Sequence, residues 1–378
     1  MTITTHAHRE TFPGVRMLAL TPISAYGGFN TSRHRVEAFR SLGCTGEVID
    51  TTSAETSRAF LRARTIRAWL FRLGWPVYAA IDGGVRARIN ATPASNDYQL
   101  IWLEKAVELD DTDLGWLRGN FPNALLVGFS PDDMNARHNR SEQFSRALHC
   151  YDLFVTTKSY NVGELKALGA PDVLFVGNGF DPAAFNPKPV AEAERHRLGG
   201  DVGFIGSFEE PRARSMFNLA RNGINVRIWG NGWQNCPYSH PRMKVEQKAL
   251  FGEDFSRACC SFKINLGFLR KLNRDLQTTR SVEIPGCGGF MLAERTDEHL
   301  ALFEEGVEAE YFSTDDELLE KCRQYLECDE ARMKVAQAGF DRCMRSDYTN
   351  LGRMRAVLKY LVRTRPRSIP GPFAGVGR

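Results

Sequence analysis

The sequence predicts an α/β protein of two parallel-sheet domains, each covered by helices on both faces, facing each other across a cleft. Three observations predict it. Short apolar runs alternate with segments of helical spacing, and that alternation requires crossovers between parallel strands. A turn-rich stretch, Gly177-Asn178-Gly179-Phe180-Asp181-Pro182 and then Asn186-Pro187-Lys188-Pro189, interrupts the alternation, which afterwards restarts. The length of 378 residues is enough for two cores.

The elements follow in order. Residues 15–20 read as a buried strand, 32–42 as a helix and 47–50 as a short strand. Strands are expected over 98–103 and 124–129, with a helix over 112–119 between them. A strand over 152–157, a helix over 159–168 and a strand over 173–176 complete a first domain, 1–187. The second domain, 188–347, opens with a strand over 202–205 ending in Gly206-Ser207. A helix over 212–221 and a strand over 226–229 come next. Then come a strand over 262–266, a short helix over 278–285 and a strand over 289–293. Three helices close the chain, over 315–326, 330–343 and 348–362. The tail 363–378 is rich in Pro, Gly and Arg, lacks an apolar stripe and is expected to be disordered.

Composition excludes several classes. With 49 basic and 45 acidic side chains the net charge is +4, which argues against nucleic-acid binding as the main function. The apolar run 69–81 is broken by Arg72 and Pro76 and falls short of the roughly 18–20 residues of a membrane span. The first ten residues carry no apolar core of a secretory signal. Nine cysteines, an odd number without a C-x-x-C pair, read as reduced thiols. A cytoplasmic location is the expectation.

Four segments carry candidate chemistry. The turn Tyr26-Gly27-Gly28-Phe29-Asn30 follows the first strand, so its glycines allow close backbone approach to a ligand. Gly27, Gly28 and Asn30 are therefore candidates for an acceptor-side loop, against the alternative of a plain strand-to-helix turn. Ser130-Pro131-Asp132-Asp133 with Arg137 and His138 ends another strand. Asp132 and His138 could position or deprotonate a hydroxyl, against the alternative of a helix cap with a solvated face. Gly206 and Ser207 could offer backbone N–H groups to a phosphate, with Arg212 adding a charged fork. In 278–293, Arg280 and Glu283 stand at i and i+3, so both point to one side. Glu283 could accept two hydrogen bonds from a ribose diol and Arg280 could meet a diphosphate, against the alternative of a surface ion pair. The turn after them, Cys287-Gly288-Gly289, feeds a buried strand.

These segments carry a resemblance. "VGFIGSFEEPRARSMFNLARNGINVRIWGNGW", "FKINLGF", "RSVEIPGCGGFMLAE" and "FEEGVEAEYFSTDDELLEKCRQYLECDEARMKVAQAGFDRC" resemble the C-terminal domain of group 1/family 4-type glycosyltransferases, specifically the CgeB-like (spore maturation protein) group. The N-terminal stretch from "FSPDDMNARHN" to "VLFVGNGFDPAAFNP" resembles the first domain of that group. The resemblance implies a GT-B fold of two Rossmann-like domains, with the donor nucleotide held by the second. It implies a ribose-binding role for Glu283. Asn265, in FKINLGF, and Gly288 join Gly206, Ser207, Arg212 and Arg280 as donor-binding candidates. Asp275 stands eight positions before Glu283, where many relatives have a glutamate that touches the donor sugar. It also implies that the C-terminal helix 348–362 crosses back onto the first domain.

The function expected is transfer of a sugar from a nucleotide diphosphate sugar, UDP favoured over GDP, to a hydroxyl acceptor in bacterial surface glycan or glycoconjugate synthesis. A sugar-nucleotide 2-epimerase and a non-catalytic sugar-binding protein are the alternatives. No cofactor is expected, and no metal, because no carboxylate or histidine set clusters in sequence. The acceptor could be a glycan, a lipid-linked sugar or a protein. In residues 58–72, Arg58, Arg62, Arg64, Arg67 and Arg72 alternate with apolar residues. Such a helix could lie on an anionic inner membrane face or be an ordinary helix with one buried face.

Overall fold

In a computed structural model of the chain, residues 10–24, 30–51, 91, 97–107 and 109–374 are described. The chain divides into two units, Met1–Gly177 with Leu351–Arg378, and Asn178–Asn350.

The first unit is built on strands β2 (Arg16–Thr21), β3 (Thr45–Asp50), β4 (Leu100–Glu104), β5 (Leu125–Ser130), β6 (Leu153–Thr156) and β7 (Val173–Phe175). All pair in parallel, in the order β3-β2-β4-β5-β6-β7. Strand side chains alternate between faces. Leu18, Leu20, Ile101, Leu103 and Leu126 therefore enter one apolar cluster, and Met17, Ala19, Leu100, Trp102 and Val127 enter the other. Helices α1 (Thr31–Ser41), α2 (Asp111–Asn120), α3 (Glu142–Ala147) and α4 (Asn161–Ala167) connect the strands. The order reverses between β2 and β4, which makes their carboxyl ends a switch point where ligands of open α/β sheets bind.

The second unit holds β8 (Gly200–Ile205), β9 (Val226–Trp229), β10 (Met243–Val245), β11 (Phe262–Gly267), β12 (Met291–Glu294) and β13 (Glu310–Phe312). Again all pair in parallel, in the order β10-β9-β8-β11-β12-β13. The switch point lies between β8 and β11. Helices α5 (Glu192–Leu198), α6 (Glu210–Arg221), α7 (Gly252–Ser261), α8 (Arg280–Gly286), α9 (Asp297–Leu302), α10 (Asp315–Glu327) and α11 (Asp329–Arg345) cover the sheet.

The structure adds elements that periodicity does not show. α5 buries only Leu198, so it has no apolar stripe. α7 buries small residues, Ser256, Ala258, Cys259 and Ser261, beside a single phenylalanine, Phe255. β10 and β13 are three residues long, too short for a period to register. The division between units falls at Gly177/Asn178, ahead of the expected 187. Asn178 N–H donates to Gln277 Oε1 at 3.1 Å, and Phe180 pairs with Thr349, so the turn-rich stretch is part of the second unit.

The tail corrects an expectation. The last helix, α12 (Asn350–Thr364), buries Met354, Val357, Leu358 and Leu361 in the cluster that holds Trp102 and Val127. Beyond it Ile369 is buried in the same cluster, and β14 (Phe373–Ala374) pairs antiparallel with β1 (Glu10–Thr11). The segment is ordered to residue 374, because one buried isoleucine and two ladder positions anchor it where no stripe is needed.

Candidate functional site

At the switch point of the second sheet, β8 ends in Gly206-Ser207. Gly206 N–H donates to the Trp229 carbonyl at 2.9 Å and Phe208 N–H to the Asn231 carbonyl at 2.9 Å, so these amides are spent inside the protein. Gly206 is thus corrected from a phosphate donor to a turn residue. Gly230 lets the two strand ends close: a Cβ there would sit 1.9 Å from the Gly206 oxygen.

Arg212, on the first turn of α6, braces this turn from inside. It donates through Nη1 to the Ser207 carbonyl at 3.1 Å and through Nη2 to the Leu269 carbonyl at 3.2 Å, and pairs with Glu209 at 3.0 Å. Its side chain is 8% exposed. Burial lowers its pKa, against the nearby carboxylates of Glu209 and Glu294. The expected charged fork for a ligand is turned inward, where it ties the β8 turn to the loop after β11. That loop carries cations the sequence reading missed: Arg270, 3.1 Å from Glu209, and Lys271, paired with Glu294. The basic run Arg270-Lys271, separated from the end of β11 by two residues, was the available signal.

Arg280 and Glu283 sit on α8. Arg280 pairs with Glu283 through Nη1, donates through Nε to the Ile205 carbonyl at 3.3 Å, and lies 4.1 Å from the Phe255 ring centroid. The residues are therefore at the carboxyl end of β8. Only 2% of Glu283 is exposed, while a third of the Arg280 side chain reaches the surface. This is no loose surface pair: the i, i+3 spacing lays the guanidinium over the buried Glu283 carboxylate, which a ligand reaches only once Arg280 moves aside.

The glycine turn after α8 is a helix stop. Gly288 N–H donates to the Pro285 carbonyl at 2.8 Å and Gly289 N–H to the Ile284 carbonyl at 3.1 Å, the two bonds of a Schellman motif. Gly288 has φ +72°, as the position after the C-cap requires. Its place in the donor set is explained by this local need. Asn265, mid-strand in β11, donates its amide to the Cys259 carbonyl at 3.1 Å and is buried within the sheet, so it too is structural. Asp275 is buried and accepts from Asn273 Nδ2 at 2.8 Å. Ser281 Oγ lies 2.7 Å from His299 Nε2, and His299 Nδ1 lies 2.6 Å from the Glu294 carbonyl. Those partners assign Nδ1–H as the donor. Both side chains are buried, and burial lowers the imidazole pKa, so this pair is a neutral packing contact.

In the first unit, Asn30 caps α1: its Oδ1 accepts from Arg33 N–H at 2.9 Å, and its Nδ2 donates to the Ile23 carbonyl at 3.0 Å. Gly27 and Gly28 lie outside the described residues, as do residues 58–72. At the end of β5, Asp132 pairs with Lys105 at 2.9 Å, with 32% and 45% of the two side chains exposed. His138 is half-buried in the turn beyond. Neighbouring Asp133 is a turn residue, accepting from Asn161 Nδ2 at 3.0 Å and from Asn135 N–H at 3.2 Å.

Beneath Lys105, Glu104 is wholly buried and meets Arg35, Ser32, Thr21 and Trp102. Burial raises its pKa, but the Arg35 charge and hydrogen bonds, with that from Ser32, outweigh it and hold the carboxyl below its ordinary value. Among the described residues, no three His, Cys, Asp or Glu side chains gather to hold a metal, and no helix is long and apolar enough to cross a membrane.

Residues 212–359, which contain Arg212, Asp275, Arg280 and Glu283, match the family model described as glycosyl transferase-like. No curated protein matches the chain. Among solved structures, the Anabaena HepE protein in complex with UDP and glucose matches with a TM-score of 0.59 at 13% identity, covering 92% of this chain and 100% of that one. Sucrose-phosphate synthase from Thermosynechococcus elongatus matches with a TM-score of 0.62 at 12% identity, over 92% and 100%. A glycosyltransferase from Rickettsia africae matches with a TM-score of 0.56 at 10% identity, over 93% and 99%. At these identities the likeness is one of fold. The chain carries a glycosyl transferase-like domain over residues 212–359, on a GT-B fold of two Rossmann-like domains.

Proposed function

We propose that the protein is a glycosyltransferase moving a sugar from a nucleotide diphosphate sugar to a hydroxyl acceptor. The observation that carries the reading is the Arg280–Glu283 pair, held against the end of β8 at the second sheet's switch point and inside the matched domain. The exposed part of the Arg280 guanidinium meets the diphosphate. When it swings to the phosphates it uncovers Glu283, whose carboxylate then accepts from the ribose hydroxyls. Arg212 keeps the Ser207 turn and the Leu269 loop at a fixed separation. Arg270 and Lys271 add positive charge for the leaving diphosphate, and no metal is obligatory.

On the acceptor side, Asp132 orients or deprotonates the hydroxyl, with His138 nearby. UDP is favoured because HepE was solved with UDP and glucose. The acceptor belongs to bacterial surface glycan or glycoconjugate synthesis, and the protein works in the cytoplasm or at the inner membrane face. The test is thermal shift with UDP, GDP and their sugars, then Glu283→Gln. The wild type should be stabilised by a UDP-sugar and should transfer from it in EDTA. Glu283→Gln should bind at least 10-fold more weakly, since a charge-assisted bond contributes about 1.5–3 kcal/mol. Unchanged affinity would remove the ribose assignment. A new sugar nucleotide formed from donor alone would identify an epimerase instead.

A further inference from the structure

We infer that Lys105 is a positioning residue of the transfer reaction: its ammonium holds Asp132 beside the switch point of the first sheet, where the acceptor hydroxyl is engaged. The inference rests on the acceptor-side reading above and adds a residue to it.

The first observation is backbone strain. Lys105 has φ +53°, a left-handed conformation that a side chain with a Cβ disfavours. Such a residue persists only when its surroundings hold it. Here they do. Lys105 N–H donates to the Phe129 carbonyl at 2.9 Å, and its own carbonyl accepts from Val107 N–H at 2.8 Å. One residue earlier, Glu104 is locked by Arg35, Ser32 and Thr21. A glycine would fill this position without strain, so local conformation alone does not call for lysine.

The second observation is what the strain achieves. β4 ends at the buried Glu104, and the left-handed residue that follows turns the chain. The Lys105 ammonium is thereby presented beside the end of β5, 2.9 Å from Asp132. Both side chains keep access to water, so the pair is a reachable site and not a buried clamp. The pair lies at the carboxyl ends of β4 and β5, next to the β2/β4 switch point where the fold leaves room for a ligand. Asp132 N–H donates to Ser130 Oγ at 3.2 Å, which fixes the backbone while the cation orients the carboxylate.

Other charged groups surround the pair. Glu104 and Arg35 lie beneath it. Asp133, Arg137 and His138 share its turn. Lys158 and Glu164 belong to the β6–α4 segment, which that turn meets through Thr157 Oγ1 donating to the Pro131 carbonyl and Asn161 donating to Asp133. Glu104 and Arg35 are a closed pair. Lys105 is the cation placed 2.9 Å from the Asp132 carboxylate, where its charge orients that group.

The experiment compares wild type, Lys105→Gly, Lys105→Arg, Asp132→Asn and the Lys105→Gly/Asp132→Asn double variant. It measures thermal stability and kcat and KM for donor and acceptor. Lys105→Gly should fold with a Tm at or above the wild type, because the strain is relieved. Its kcat should fall at least 10-fold, with donor KM unchanged. Lys105→Arg should restore most of the rate, and the double variant should be no worse than Asp132→Asn. Full activity in Lys105→Gly overturns the inference, as does a Lys105→Arg variant no better than glycine. If Asp132→Asn retains full activity, the role of Asp132 fails and that of Lys105 with it. The wild-type rate in the same assay reports separately whether the transferase reading stands.

Discussion

Glu104 and Arg35 show how much a single pair of residues can decide. The carboxylate is wholly buried, and Arg35 meets it from α1, with Nε 3.2 Å from Oε2. Breaking a buried pair leaves an uncompensated charge and costs about 3–5 kcal/mol. Glu104→Gln should lower stability by that order in urea denaturation at pH 7. The folded pKa of Glu104 lies below its ordinary value of 4.5. Its contribution is therefore fully present above 4.5 and is lost as pH falls through the folded value. The variant should show a correspondingly flatter acid limb, and equal stability of the two proteins at neutral pH would refute the assignment. Nothing in the sequence revealed this pair, because its members are 69 positions apart. Arg280 and Glu283 were legible because three positions on a helix are neighbours whatever the fold does.

At the scale of elements, α8 and its stop show what local sequence can and cannot say. The Gly288-Gly289 turn reads equally as a phosphate loop or as a helix cap. The two bonds to Pro285 and Ile284 identify the cap. A side chain at Gly288 would face φ +72° and place its Cβ 3.3 Å from Pro187 Cγ. Gly288→Ala should destabilise by about 1–2 kcal/mol, read as a lower Tm, with nucleotide affinity unchanged. A loss of affinity at unchanged Tm would return Gly288 to the donor site. Longer elements were legible because several turns of helix repeat the same pattern: α10, α11 and α12 all lie within a few residues of the expected spans. α5, α7, β10 and β13 were not, since they are short or bury few large apolar residues.

For the molecule as a whole, the chain's last segment is what completes the first unit. α12 covers the face of the first sheet that carries Trp102 and Val127, and Ile369 closes the cluster beyond it. Deleting a buried isoleucine side chain down to alanine costs about 2–5 kcal/mol. A chain ending at Thr364, or carrying Ile369→Ala, should therefore unfold at lower temperature and lower urea than the full chain. Full stability in the truncated chain would show that the tail contributes nothing.

What the residues dictate locally was readable from their order alone. Alternating apolar runs and helical stripes required parallel sheets, and the mid-chain turns announced a second alternation. The helical spacing of Arg280 and Glu283 marked the strongest site. Tertiary structure decided which of the candidate groups remain free to act. Gly206 spends its amide on β9, Asn265 on the core and Arg212 on the Leu269 carbonyl, 57 residues away. It also decided that Asp132 would meet Lys105. The reason is physical: period and propensity act within a few residues. Strand order brings distant segments side by side, and only there does each polar group find the partner that either occupies it or leaves it for a ligand.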